Sequence, residues 1–198
     1  MPNFENLFNR LIQNPQFFVS FFVGGLLCFI PIINLFAFGY LYRIVKNIRH
    51  TGSFKMPEWD SFEQLFIDGI RMSLIFLVYG LLPFTFGFFI LSLVLPGIGL
   101  LEHNIISSIL KITILVVFCS AIYRYQRSQS FYALLDFKLI MKMALLYLQS
   151  QGVVLLACYG LFYFFLPLYG FSIFGALLLA FIQTTGFFYQ LELKKGLY

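Results

Sequence analysis

Long stretches without any Asp, Glu, Lys or Arg dominate the pattern of apolar and polar positions. The longest runs from Met143 to Leu191, forty-nine residues, and two others span Leu11–Tyr42 and Met72–Leu101. A helix needs about 20 apolar residues to cross a hydrocarbon core about 30 Å thick. The longest run can therefore hold two crossings, and the chain is predicted to be an integral membrane protein.

Turn signals divide these runs into about five transmembrane segments. Pro96-Gly97-Ile98-Gly99 and Pro167–Gly170 separate neighbouring apolar segments, and Lys111 lies where a side chain can snorkel to the surface. The pattern predicts an all-α polytopic membrane helical bundle in a single membrane domain, residues 1–198. The predicted crossings are about 17–42, 72–95, 105–123, 143–166 and 171–189.

The first apolar segment allows two interpretations, because it contains Pro31, which kinks or breaks a helix. One interpretation is a single kinked crossing over residues 17–42. The other is a re-entrant hairpin that turns at Pro31–Asn34. The sequence slightly favours the single crossing. The side of the membrane on which the N-terminus lies differs between the two.

Short interfacial amphipathic helices are predicted at three places. Residues 2–16 have apolar positions at helical spacing. Asp60 followed by Glu63 matches a capping box, which predicts a surface helix leading into the second crossing. Ser130 is predicted to cap a short helix over Phe131–Met141.

Composition and charge agree with a membrane protein and predict its orientation. The chain is 61% hydrophobic and 11% charged, whereas soluble domains carry about 25% charged residues. The net charge of +5 comes from the loops 43–71 and 124–142 and the C-terminal end, so the positive-inside rule explains it. We expect these loops and the C-terminus to be cytoplasmic, the protein to lie in the cell (inner) membrane, and no nucleic acid partner.

No catalytic constellation is visible, and we expect no catalytic, cofactor-binding or metal-binding residue. His50 and His103 have no metal-ligand spacing. Carboxylates gather only between Glu58 and Asp68, where a solvated interfacial helix explains them. The cysteines lie inside apolar runs and are expected to behave as small buried hydrophobes: Cys28, Cys119 and Cys158.

Two sets of residues are candidates for packing and for lipid contact. Small residues recur every four positions in the last crossing, which lets another helix approach closely: Ser172, Ala176, Ala180 and Thr184. Basic loop residues can attract anionic lipid headgroups, each contributing about 1 kcal/mol near an anionic surface: Arg43, Lys46, Arg49, Arg124 and Arg127.

A motif in residues 39–69 resembles a known family. It reads Gly39-Tyr40-x-x-Arg43, then Gly52-x4-Pro57-x-Trp59-Asp60, then Phe66-x-Asp68-Gly69. This pattern resembles the prokaryotic multi-pass membrane family catalogued as domain of unknown function four thousand and thirteen. The resemblance implies a small bacterial or archaeal membrane protein of unassigned activity, and it brings no catalytic residue.

The residues of this motif have a structural interpretation of their own. Gly52 and Pro57 shape the loop, Trp59 anchors it at the membrane interface, and Asp60 caps the following helix. Gly69 permits a bend into the second crossing.

These observations favour a non-enzymatic subunit or scaffold that packs within a larger membrane assembly. Its partners would be membrane lipids and other membrane subunits, or copies of itself. A carrier or channel for a neutral or lipidic solute is the first alternative, because interrupted helices often line substrate sites, here beside Asn34 or Gln183. An interfacial lipid-acting enzyme is the second alternative, resting on the Glu58–Asp68 carboxylates.

Overall fold

The computed structural model describes residues 13–52, 55–94, 100–164 and 166–195, and every regular element in these ranges is helical. The α-helices are α1 (Pro15–Leu27), α2 (Asn34–Thr51), α3 (Phe62–Phe76), α4 (Leu82–Val94), α5 (Leu100–Ser128), α6 (Phe137–Phe164) and α7 (Tyr169–Lys195). The predicted all-α class is confirmed. Residues 2–12 of the predicted N-terminal surface helix and the turn at 96–99 lie outside the described residues.

Helices long enough for a membrane are present. Among the described residues, three helical runs are long and apolar enough to cross a bilayer: Phe62–Leu93, Glu102–Ser128 and Tyr169–Lys194. They overlap the predicted crossings 72–95, 105–123 and 171–189. The predicted crossing 143–166 lies mostly in α6, several of whose side chains are outside the described set. The number of crossings stays a prediction.

The first apolar segment folds back on itself. Helix α1 ends at Leu27 and α2 begins at Asn34, and Ile32 between them has a φ of 73°. The two helices pack against each other. The backbone therefore forms a hairpin, which is one of the two predicted alternatives. The other alternative, a single kinked helix over residues 17–42, was slightly favoured by the sequence and is wrong. Pro31 lies in the turn, as the sequence indicated.

A π-turn interrupts the run Phe62–Leu93. It covers Leu77–Leu81, and the N–H of Leu82 donates to the carbonyl of Leu77, five residues earlier. Pro83 has no N–H to donate to a carbonyl in the preceding turn, so the wider turn accommodates it without ending the helix. The predicted surface helix and the predicted second crossing are consequently one helical run.

The short helix predicted over Phe131–Met141 is wrong in its extent. Ser130 does accept a hydrogen bond from the N–H of Tyr132 at 3.3 Å, but the helix it caps is a 3-10 helix that ends at Leu135. Asp136 then accepts a hydrogen bond from the N–H of Leu139 at 3.2 Å. This second cap begins α6 at Phe137, because Asp, like Ser, satisfies amides at a helix start.

The chain divides into two compact units. The first unit joins the residues up to Ser73 with those from Val153 onward, and the second unit is Leu74–Gly152. In the first unit α7 packs against α1 and α2. In the second unit α5 packs against α4, the π-turn and the 3-10 helix 131–135.

Phenylalanine rings on glycine surfaces hold α1 to α7 in the first unit. The ring of Phe174 occupies the place that a Cβ on Gly24 would need, and Phe171 does the same at Gly25. Apolar burial gives little drive for helix association in lipid, so close packing of this kind carries the stability.

Candidate functional site

The motif of residues 39–69 forms one connected site in the first unit. Its centre is the motif loop, residues 55–61, which lies between α2 and α3. Side chains of α2 reach this loop from one side, and glycines bring α2 and α3 together beyond it.

Gly52 ends α2 in a conformation suited to glycine. Its φ is 66°, and its N–H donates to the carbonyl of Ile48 at 2.8 Å. The ring of Tyr189, from α7, fills the space where a Cβ would project. Both the backbone conformation and the neighbouring ring therefore favour glycine at this position.

Tyr40 and Trp59 form the aromatic centre of the site. Their ring centroids are 4.1 Å apart and the ring planes differ by 8°. Tyr40 is completely buried. Such a stacked pair contributes about 0.5–1.5 kcal/mol beyond its buried area. Trp59 is thus held against α2 by Tyr40, a partner that was not predicted from the sequence.

The hydroxyl of Tyr40 ties three segments together. It lies 2.9 Å from the carbonyl oxygen of Pro57 and 2.8 Å from Oγ of Ser20. A carbonyl only accepts, so the single phenolic proton goes to Pro57 and the Ser20 hydroxyl donates to the phenolic oxygen. One buried side chain therefore joins α1, α2 and the motif loop.

Arg43 holds the end of the motif loop. Its guanidinium donates to the carboxylate of Asp60 at 2.6 Å, to the carbonyl of Asp60 at 3.0 Å and to that of Ser61 at 3.2 Å. Ser61 has a φ of 50°, an unfavourable conformation for a residue with a side chain. The planar fork of arginine suits this multiple contact, which stabilises the strained turn.

The predicted role of Asp60 as a helix cap is wrong. Its two carboxylate oxygens contact Arg43 and the hydroxyl of Ser61. Helix α3 instead begins with the N–H of Leu65 donating to the carbonyl of Ser61 at 3.0 Å. The positively charged guanidinium of Arg43, on α2, binds this carboxylate more strongly than the backbone N–H groups at the start of α3 would.

Gly39 and Gly69 bring α2 and α3 into backbone contact. A Cβ on Gly39 would collide with the carbonyl of Leu65, and a Cβ on Gly69 would collide with the carbonyl of Leu35. The contact is reciprocal, since each helix contributes one glycine and one carbonyl. Gly69 thus serves close packing within α3, and not the predicted bend, because the helix continues through it to Phe76.

Asp68 is buried beside this crossing and pairs within its own helix. Its carboxylate accepts a hydrogen bond from Arg71 at 3.0 Å, three residues later. The arginine side chain is partly exposed, so the pair can retain contact with water or headgroups. A buried carboxylate without such a donor would be costly.

The other predicted residues lie in varied surroundings. Ser172, Ala180 and Thr184 of the small-residue stripe are buried, and Ala176 is half-buried. Lys46 is exposed, whereas Arg49, Arg124 and Arg127 are partly buried. The guanidinium of Arg43 binds the motif loop. Because three of its four members are buried, the small-residue stripe faces the interior of this chain more than its surroundings.

The polar side chains of the site hold the motif loop in place. The Tyr40 hydroxyl and the Arg43 guanidinium donate to backbone carbonyls, and the Asp60 carboxylate accepts from Arg43. Within the described ranges, no group of three or more His, Cys, Asp or Glu side chains could hold a metal ion. The indole N–H of Trp59 is shielded from solvent and has no partner in the described part of the chain.

Comparison with known proteins identifies the family of the chain. The family described as Protein of unknown function (DUF4013) matches residues 22–174. The chain belongs to this family. The matched range contains the whole motif from Gly39 to Gly69, whereas Ser20 and Tyr189 lie outside it. No curated protein and no solved structure matches the chain.

Sequence reasoning missed several members of the site. Tyr40 was part of the quoted motif but received no role, and Ser20 and Tyr189 lie far from it in sequence. A tyrosine three positions before Arg43, at helical spacing, was the available signal in the sequence. Its partners Ser20, Pro57 and Trp59 depend on how α1 and the motif loop fold onto α2.

Proposed function

We propose that this DUF4013 protein is a non-enzymatic subunit or scaffold that packs against another polypeptide within the membrane. The observation that carries the proposal is the surface of the run Phe62–Leu93. In an apolar stretch of 18 residues within this run, only 22% of the residues are buried by the chain itself, against 50% in the corresponding stretch of each of the other two candidate spans. So much uncovered apolar surface on one helix offers room for a further helix.

The character of the motif site supports a structural role. Tyr40 and Arg43 use their polar groups to hold the motif loop, and Gly39 and Gly69 fix α2 against α3. This arrangement places the start of Phe62–Leu93 rigidly, since the loop directly precedes it. A pre-organised helix loses little conformational entropy when it binds a partner.

Site-specific photo-crosslinking tests the proposal. A photoreactive amino acid would replace Phe86, which is 66% exposed on α4, and the fully buried Val116 would carry it as the control. We expect the Phe86 probe to give one discrete protein adduct in native membranes, identified as one partner or as a second copy. Adducts to lipid alone at Phe86 would contradict the proposal.

A carrier for a neutral or lipidic solute is the second candidate. The turn between α1 and α2 and the π-turn at Leu77–Leu81 both interrupt apolar helices, and such interruptions often accompany substrate sites in transporters. Reconstituted protein that moves labelled lipid or neutral solute across vesicles, and loses this activity in an Asn34→Leu variant, would favour the carrier. Intact transport in that variant would argue against a path beside Asn34.

The lipid-acting enzyme has the least support of the three hypotheses. Two of the carboxylates on which it rested are held in ion pairs, Asp60 with Arg43 and Asp68 with Arg71. These contacts give both residues a structural role. We further propose that the protein lies in the inner membrane, with its basic loops and its C-terminus on the cytoplasmic side.

A further inference from the structure

An exposed aromatic and basic surface lies between α5 and α6 in the second unit. The 3-10 helix 131–135 and the first turns of α6 present large apolar side chains outward. Tyr132 is 83% exposed and Leu135 is 66% exposed, and Phe131 and Phe137 are each at least half exposed. We call residues 131–142 the interfacial segment.

The interfacial segment is held firmly although its side chains are exposed. Leu134 points inward, and its carbonyl accepts a hydrogen bond from the hydroxyl of Tyr79 in the π-turn. The ring of Phe131 lies 4.8 Å from that of Tyr125, and the ring of Phe137 lies 5.7 Å from that of Tyr79. Its apolar side chains are therefore displayed from a fixed backbone.

Charge indicates what this surface contacts. Lys138 and Lys142 are exposed beside the aromatic side chains, and Asp136 is the only acidic residue of the segment. A tyrosine, whose ring has one polar edge, and lysines on flexible stems are typical of the membrane–water interface. Anionic headgroups complement the lysines, while the boundary of the acyl chains accepts the rings.

The position of the segment in the chain agrees with this occupant. The candidate span Glu102–Ser128 ends two residues before Ser130. A segment that follows the end of a membrane span so closely starts at the depth of the headgroups. We propose that the interfacial segment is a built-in anchor that inserts its aromatic side chains into an anionic lipid surface.

The test uses the full chain in vesicles of phosphatidylcholine, with or without phosphatidylglycerol. An environment-sensitive fluorophore would be attached to Tyr132→Cys, in a background in which the three native cysteines are replaced by alanine. Glu58→Cys, on the exposed polar part of the motif loop, is the control site. Emission of the native Trp59 verifies that each variant is folded.

We expect the Tyr132 probe to emit at shorter wavelength than the Glu58 probe and to be quenched by lipids brominated close to the headgroup. Phosphatidylglycerol should increase both effects. The double variant Lys138→Gln/Lys142→Gln should lose that increase, whereas Lys46→Gln, at an exposed lysine of α2 in the other unit, should keep it.

Two results would overturn the proposal. The first is a Tyr132 probe that remains as water-exposed as the Glu58 probe in every lipid. The second is shielding of Tyr132 that disappears on dilution of protein in lipid, since a second copy of the chain would then be the occupant.

Discussion

The hydroxyl of Tyr40 lies 2.8 Å from Oγ of Ser20, although twenty positions separate the two residues. In one continuous helix, residues this far apart would be separated by about 30 Å, at a rise of about 1.5 Å per residue. The first apolar segment is therefore a hairpin. Helix α1 has only 13 residues, which gives it a length of about 20 Å, less than the hydrocarbon core.

The hairpin predicts that both of its ends lie on the same side of the membrane. Single cysteines would replace Gln13, just before α1, and Lys46, in the last turns of α2, and a membrane-impermeant thiol reagent would be applied from each side. We expect both cysteines to react from the cytoplasmic side. Reaction from opposite sides would show that the segment crosses the bilayer.

The glycine crossing predicts a sharp contrast between alanine substitutions. Gly39→Ala and Gly69→Ala each place a methyl group against a backbone carbonyl, so we expect each to lower the free energy of unfolding by about 1–3 kcal/mol. Gly186→Ala in α7 is the matched control, because open space surrounds it. It should be neutral or stabilise the helix by up to about 1 kcal/mol. Thermal unfolding in detergent measures all three, and equal effects would contradict the crossing.

The Tyr40 hydroxyl and ring have separable effects. Tyr40→Phe leaves the carbonyl of Pro57 without its donor, which should cost about 1–2 kcal/mol of stability. Tyr40→Ala also removes the stack on Trp59, the only tryptophan of the chain, and should shift the tryptophan emission to longer wavelength. Tyr132→Phe, at an exposed tyrosine, should change neither quantity. An unchanged emission in Tyr40→Ala would show that the stack does not form.

Arg43 and Asp60 are expected to contribute unequally although they form one ion pair. Arg43→Gln weakens or removes contacts to two carbonyls and a carboxylate and should cost about 1.5–3 kcal/mol. Asp60→Asn leaves both carbonyl contacts, and its carboxylate is 63% exposed, so it should cost less than about 1 kcal/mol. Urea or thermal unfolding gives the order. A larger loss in Asp60→Asn would mean that the carboxylate, and not the backbone, is the main partner of Arg43.

Hydropathy and local signals predicted much of the fold. Apolar runs long enough for the bilayer became helices, because a membrane requires every backbone group to be satisfied within its segment. Pro31 marked a break and Ser130 marked a helix start. The direction of the chain after Pro31 was open, since a kink and a turn share the same local sequence. The hydrogen bond between Ser20 and Tyr40 depends on a contact between segments and has no local signal.

The motif could be recognised from sequence, but the roles of its residues could not be fully predicted. Asp60 suited a helix cap and an ion pair equally well, and the outcome depended on Arg43, which reaches it from another helix. Gly39 and Gly69 could mark bends or close contacts. Their pairing requires knowledge of which faces of α2 and α3 meet, and a single sequence does not contain it.

The mass of the complex in native lipid tests the central claim most directly. The protein would be extracted from its membrane with a lipid-retaining polymer and examined by native mass spectrometry without chemical crosslinking. The account predicts a discrete species heavier than the 23.0 kDa chain, containing a fixed number of copies or a second subunit in constant ratio. A single 23.0 kDa chain accompanied only by lipid would contradict it.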